Sequence, residues 1–181
     1  MARIRKFVCY RRLERPYTRK SKYSKKNFVR VYPASKIQKC EGGNASRKFR
    51  YQFLIKPKVS LQLRHNSLES ARQCANKYLE TTLSKDNFFL KMRVYPFHVL
   101  RENPLASGAG ADRMSTGMAH SFGKNISSAA QVREGQPIFE VRVDKSGLVA
   151  AKKALKTMAS KFPCQCLVEI FDIETKKLVF V

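Results

Sequence analysis

Acidic side chains are scarce in this chain: 13 Asp and Glu stand against 37 Lys and Arg, giving a formal charge of +24 and an isoelectric point near 10.3. No cluster of acids occurs in the first two thirds, so general acid–base catalysis finds no partners there. Long apolar runs are missing too. No stretch approaches the roughly 20 residues of a membrane-spanning helix. The N-terminus carries charges every few residues and lacks the apolar core of a secretory signal. A disulfide framework is also absent. Cys9, Cys40, Cys74, Cys164 and Cys166 are an odd set without framework spacing, as expected of reduced thiols. The expectation is a soluble protein working inside the cell, with no membrane partner and no internal repeat.

Sequence motifs for cofactors fall short in the same way. Gly117…Gly123-Lys124 has five residues between its glycines where a phosphate loop needs four, and Asn125 replaces the Ser or Thr that would hold magnesium. Ser107-Gly108-Ala109-Gly110 lacks the third glycine of a dinucleotide fingerprint. His65, His98 and His120 are not paired at metal-ligand spacing. Cys164 and Cys166 flank Gln165 on one face of a strand, but no second pair completes a tetrahedral site. No cofactor, metal or catalytic residue is expected.

What the chain has in excess is positive charge, unevenly placed. Residues 1–60 hold 19 Lys or Arg against Glu14 and Glu41, a net of +17, whereas residues 61–181 net +7. A self-repelling chain of this kind is tolerable where a polyanion neutralises it. Nucleic acid is the first candidate, an anionic membrane the second, an acidic protein the third. In residues 1–30, Arg3, Arg5, Lys6, Arg11, Arg12, Arg15, Arg19, Lys20, Lys22, Lys25, Lys26 and Arg30 interleave with Phe7, Tyr10, Tyr17, Tyr23 and Phe28. The segment has neither helical nor strand period, and alone it cannot bury enough apolar area to order itself. Beside RNA it can, since the cations pair with phosphates while the rings stack on bases or riboses. A membrane-surface helix would gather its apolar residues on one face. Here they are scattered.

The rest of the chain is long enough for one compact domain. After a polar turn over 40–48, Phe49, Tyr51, Phe53 and Ile55 alternate as a strand, and Val59, Leu61 and Leu63 as a second. Leu68, Ala71, Ala75, Tyr78, Leu79 and Leu83 predict a helix over 66–83, with Asn66 and Glu69 at capping-box spacing. Phe88, Leu90, Met92 and Val94 alternate before Pro96, and Phe97, His98, Val99 and Leu100 continue as a buried strand. Asp112 can cap a short helix that Gly123 ends, and Val132 with Ile138–Val143 forms a hairpin around Glu134-Gly135-Gln136. Ser146 can cap a second long helix with Val149, Leu155, Met158 and Ala159 inward. Cys166, Val168 and Ile170 make another strand, and Leu178 to Val181 finish at an edge. Two helices among strands that do not strictly alternate with them define an α+β fold, with the helices packed on a mixed or antiparallel sheet.

Residues 97–124 carry the most specific pattern. A loop of small residues, which lets backbone approach another surface closely, lies between Arg101 and Arg113. The run His98-Val99-Leu100-Arg101-Glu102-Asn103, then Gly108-Ala109-Gly110-Ala111-Asp112-Arg113, Gly117-Met118 and Phe122-Gly123-Lys124, resembles universal large-subunit ribosomal protein sixteen in its archaeal and eukaryotic form. Pro16-Tyr17-Thr18-Arg19, Ser35-Lys36-Ile37, Gln62-Leu63-Arg64-His65, Leu68-Glu69-Ser70-Ala71-Arg72 and Ala75-Asn76-Lys77 extend the match in order over roughly residues 10 to 165.

The resemblance implies a hammerhead-like α+β domain at 35–181, preceded by a basic RNA-threading extension at 1–34. It implies a structural rRNA-binding protein of the large subunit with no enzymatic activity, near the tRNA path and the peptidyl-transferase centre, installed late in assembly. The phosphate-binding residues would be Arg3, Arg5, Lys6, Arg11, Arg12, Arg15, Arg19, Lys20, Lys22, Lys25, Lys26, Arg64, Arg113 and Lys124. The tRNA-facing loop would be Arg101, Glu102, Asn103, Pro104, Leu105, Ala106, Ser107, Gly108, Ala109, Gly110, Ala111 and Asp112. Its partners would be rRNA, tRNA transiently, neighbouring ribosomal proteins and, in a eukaryote, a loading chaperone, with nuclear transit during assembly; it would not be a homo-oligomer. The chain ends without the long tail of animal homologues, pointing to an archaeal or reduced eukaryotic source. Two other classes stand against this: a chromatin-like DNA binder, and an RNA-modifying enzyme using Cys164 or His98.

Overall fold

Alternating and helical apolar patterns both resolve into regular elements in the computed structural model, which describes residues 4–15, 23, 25, 29, 31–103 and 123–175. In chain order these are β1 (Glu41–Gly43), β2 (Tyr51–Pro57), β3 (Leu61–Arg64), α1 (His65–Leu83), β4 (Phe88–Met92), β5 (His98–Glu102), β6 (Lys124–Val132), β7 (Phe139–Val143), α2 (Leu148–Ala159) and β8 (Cys166–Asp172). The strands form two sheets, one of five strands in the order β1-β4-β7-β2-β8 and one of three in the order β3-β6-β5. Every pairing among the described residues is antiparallel. An α+β fold with two helices and antiparallel sheets is thus observed, with two sheets in place of the single one expected.

One face of each sheet and the apolar stripes of both helices meet in a common core. Phe53 and Ile55 of β2, Phe88 and Leu90 of β4, and Val141 and Val143 of β7 meet Leu68, Ala71, Ala75 and Leu79 of α1 there. Ala151, Ala154, Leu155 and Met158 of α2 close the other side. Leu61 and Leu63 of β3 and Ala130 and Val132 of β6 bring the smaller sheet into the same cluster. Small residues on both helices let α1 and α2 pack against each other. β3 runs into α1 with no intervening residue, so the smaller sheet and the longer helix are one continuous piece of backbone. No helix among the described residues is long and apolar enough to cross a membrane.

Several expectations are corrected, each for a local reason. The segment 40–48 is not all turn: Glu41–Gly43 pairs with β4. Gly43 sits at φ +78°, where an added Cβ would lie 2.2 Å from the Phe88 carbonyl oxygen, so the sequence looks like a turn while the backbone extends the sheet. Phe88 to Leu100 is not one strand, because the chain leaves one sheet after Met92 and enters the other at His98. β6 and β7 are not a hairpin pair for the same reason, although Glu134-Gly135 does turn between them. Alternation reveals which face of a strand is buried, not which strand lies beside it.

Of the three expected helix caps, the two that fall on described residues fail. α1 starts at His65 without a side-chain cap, and Glu69 instead binds Arg72 at 2.6 and 2.9 Å and Gln73 at 3.0 Å. α2 is entered through a 3-10 turn at Lys145–Gly147, and Val149 is exposed rather than inward. The short helix expected after Asp112 and the strand at Leu178–Val181 lie outside the described residues.

Phe53 is fully buried between the sheet and the helices. Phe53→Ala should cost about 3–5 kcal/mol of unfolding free energy, measured as a lowered denaturant midpoint with the cooperative transition retained.

Candidate nucleic-acid interface

The three-stranded sheet has a second face, and the N-terminal segment lies on it. Gln62 stands directly across from Gln131, and Arg64 and His98 both stand across from Ala129. Directly opposed residues share a face, so Gln62, Gln131, Arg64, Ala129 and His98 line the side away from Leu61, Leu63, Ala130 and Val132. Residues 4–15 are held there by their main chain. Arg64 Nη1 donates to the Arg5 carbonyl at 2.8 Å, Gln62 Nε2 to that of Arg12 at 2.5 Å, and Gln131 Nε2 to that of Glu14 at 2.7 Å. Asn125 Nδ2 binds the Val31 carbonyl at 2.9 Å, anchoring the chain where it returns.

Main-chain anchoring leaves the cations free for other work. Lys6, Arg11, Arg12 and Arg15 are exposed, as are Lys25 and Lys124. Phe7, in a 3-10 turn over Phe7–Tyr10, packs inward against the core, with the Arg11 guanidinium 5.7 Å above its ring. Arg5 differs from its neighbours: its Nε donates to Glu102 Oε1 at 2.7 Å, tying the segment to the end of β5. The hydrogen bond to Glu102, and then its charge, push the Arg5 pKa upward.

β5 and β6 pair as the stem on which residues 104–122 are carried. Glu102 across from Lys124 is the last registered pair, and the register slips between Leu100 and Arg101. Gly123 closes the stem at φ +83°, where a Cβ would fall 2.4 Å from the Glu102 carbonyl carbon. No other residue type fits that position without moving backbone. Arg101 and Glu102, expected in the loop, are strand residues, and Asn103 follows the strand. Pro104, Leu105, Ala106, Ser107, Gly108, Ala109, Gly110, Ala111, Asp112 and Arg113 lie outside the described residues, as do Arg3, Arg19, Lys20, Lys22 and Lys26.

Two buried histidines flank this arrangement. The His65 ring lies between the hydroxyls of Ser127 at 3.2 Å and Ser128 at 3.3 Å. Burial first, then the charges of Lys36 and Arg64, lower its pKa. Burial also lowers that of His98, with Glu14 opposing and Arg101 assisting. Cys164 and Cys166 bring their Sγ atoms to 3.9 Å as free thiols. Among the described residues, no group of three or more His, Cys, Asp or Glu is placed to hold a metal ion.

The sequence reading missed the glutamine pair. Its polar positions in β3 and β6 were legible as alternates to Leu61, Leu63, Ala130 and Val132. Its partners are main-chain carbonyls, which leave no mark on residue identity. It also missed Glu140, a fully buried carboxylate on β7 that binds both Arg93 and Arg142.

Comparison with known proteins places this basic α+β chain, which keeps its cations outward, among proteins of the ribosome. The family model described as ribosomal protein L16p/L10e matches residues 16–169, and the chain belongs to that family. A Hyperthermus butylicus protein named large ribosomal subunit protein uL16 is 42% identical over 152 residues, 84% of each chain. One of the same name from Methanococcus maripaludis is 39% identical over 167 residues, covering 92% of this chain and 94% of the relative. A third, from Staphylothermus marinus, is 46% identical over 141 residues, 78% of this chain and 81% of its own.

Replacing Gln62 and Gln131 together by Ala should free the N-terminal segment. Amide hydrogen exchange over residues 4–15 should rise roughly five- to tenfold per lost bond, with protection of α1 and α2 unchanged. A pH dependence follows from His65. Its folded-state pKa lies below the ordinary 6.5, so the unfolded chain binds the proton first as pH falls. The stability contribution of neutral His65 is complete above pH 6.5 and declines as pH drops from there towards the folded-state pKa. His65→Asn should flatten part of that decline in denaturation midpoints, His98 supplying a remainder of the same sign.

Proposed function

We propose that the chain is a structural component of the large ribosomal subunit that binds rRNA, helps shape the tRNA corridor near the peptidyl-transferase centre and joins late in assembly. Docking of residues 4–15 through main-chain oxygens is the observation that carries this reading. A segment held that way presents its cations as a fixed row, and phosphate contacts of this kind set register and orientation on RNA. Membership of a ribosomal family and the shared name of its relatives support the ribosome as the place where this happens.

In this reading residues 1–34 are the extension threading between RNA helices, and 35–181 form a hammerhead-like rRNA-binding domain. Lys6, Arg11, Arg12 and Arg15 act with Arg3, Arg19, Lys20, Lys22, Lys25 and Lys26 on phosphates, joined by Arg64, Arg113 and Lys124. Arg5 divides its donors between RNA and Glu102. The loop running on from Arg101 to Asp112, borne on the β5–β6 stem, faces tRNA. Neighbouring ribosomal proteins and, in a eukaryotic cell, a loading chaperone are its protein partners. The role is positional rather than catalytic.

With about ten phosphate contacts, affinity for rRNA fragments should fall with salt at a log–log slope of about −7 to −9. Tagged protein should sediment with the large subunit and lose that position after ribonuclease. A slope near −2, or protein staying at the top of the gradient, overturns the reading.

A further inference from the structure

An exposed row follows β4, in the segment that leaves the five-stranded sheet. Between β4 and β5 burial alternates residue by residue: Val94, Pro96 and His98 are buried, whereas Arg93, Tyr95 and Phe97 are exposed. Phe97 is 65% exposed and Tyr95 44%, with ring centroids 5.0 Å apart and planes inclined at 53°. The Phe97 N–H donates to the Tyr95 carbonyl at 3.0 Å, which fixes the spacing of the two rings. Large rings left in water forfeit burial free energy, and a pair of them marks a contact surface.

One fixed cation, Arg93, stands two residues before Tyr95 in the chain, and Arg142 shares Glu140 with it. Lys91 stands across from Glu140, and Phe89 across from Arg142, so all four share the outer face that Arg93 continues. Glu140 is fully buried, and its two oxygens accept from Arg93 Nη1 at 2.9 Å and Arg142 Nε at 2.5 Å. Arg142 also lies 5.5 Å above the Phe89 ring. The two arginine side chains remain 45% and 39% exposed. One carboxylate shared by two guanidiniums leaves a net positive charge and N–H donors not used by Glu140.

We propose that Arg93, Arg142, Tyr95 and Phe97 form a site for unpaired RNA nucleotides, the guanidiniums taking phosphates and the rings stacking on bases. Aimed cations followed in the chain by exposed rings match a strand that offers both phosphates and base faces, whereas a duplex hides its base faces. Glu140 is the positioning residue. The site rests on the RNA-binding reading above but uses none of residues 4–15.

The chain has no tryptophan, so Phe97→Trp supplies a single reporter in the full-length protein. Titration with a short oligoadenylate should quench its emission, while a blunt RNA duplex of equal length should leave it nearly unchanged. Tyr95→Ala with Phe97→Ala should weaken oligoadenylate binding roughly tenfold or more and spare duplex binding. Glu140→Gln gives a test of sign: if net charge alone mattered, removing a negative charge would tighten RNA binding. Positioning of Arg93 and Arg142 requires it to weaken the single strand, in a protein whose thermal melt is checked alongside. Absence of quenching by oligoadenylate, or unchanged affinity in the double alanine variant, overturns the site. It does so even where the unmodified chain keeps its steep salt dependence and its place with the large subunit, so the two readings fail separately. Emission that shifts to the blue only inside purified large subunits assigns the rings to a neighbouring protein and equally overturns the proposal.

Discussion

In the proposed rRNA-binding role, a polycation cannot use up its cations in holding itself together. This chain meets that constraint by anchoring its most basic segment through carbonyl oxygens, to Gln62, Gln131 and Arg64. Amide side chains suit the task because they donate strongly and carry no charge. The second face of the smaller sheet is thereby covered, and Gln62, Ala129, His98 and Leu100 are buried although they face away from the main core. The exposed Arg11, Arg12 and Arg15 and the tie of Arg5 to the end of β5 go with that arrangement.

Most of the described acids pair with cations. Glu102 holds Arg5, Glu69 holds Arg72, Asp144 holds Arg47, Asp172 holds Arg50, and Glu140 holds Arg93 and Arg142 together. Exposed pairs contribute little to stability, commonly under about 1 kcal/mol. Their effect is on direction, since a guanidinium bonded at one edge has its other donors set in space. Glu140 is the special case, because a carboxylate with no exposure must be paired to be tolerated there.

Much of the fold was legible because burial leaves periodic marks. The helix at 65–83 showed in Leu68, Ala71, Ala75 and Leu79, and the strand at 51–57 in Phe53 and Ile55. The division into two sheets was not legible, since β6 and β7 face one core from different sheets and the alternation of β4 gives no sign of where the chain leaves its sheet. Val149 misled because it follows the 3-10 turn that sets the phase of α2. Of the interface, basic residue types and the resemblance at 97–124 showed in the sequence. The carbonyl anchors did not, because a main-chain acceptor is identical at every position. The exposed alternation of Arg93, Tyr95 and Phe97 was present in the letters but was masked by Pro96 and by the apolar character of its neighbours.

The direct passage of β3 into α1 has a mechanical meaning. The sheet that carries the basic segment on one side and the paired β5 and β6 at its far edge is joined without a linker to a helix of 19 residues buried along the main core. Load applied where the cations face outward passes into the helix through continuous backbone, with no loop between them to act as a hinge. A body joined in that way behaves as a strut: it sets distances between the things it touches and resists being bent around them.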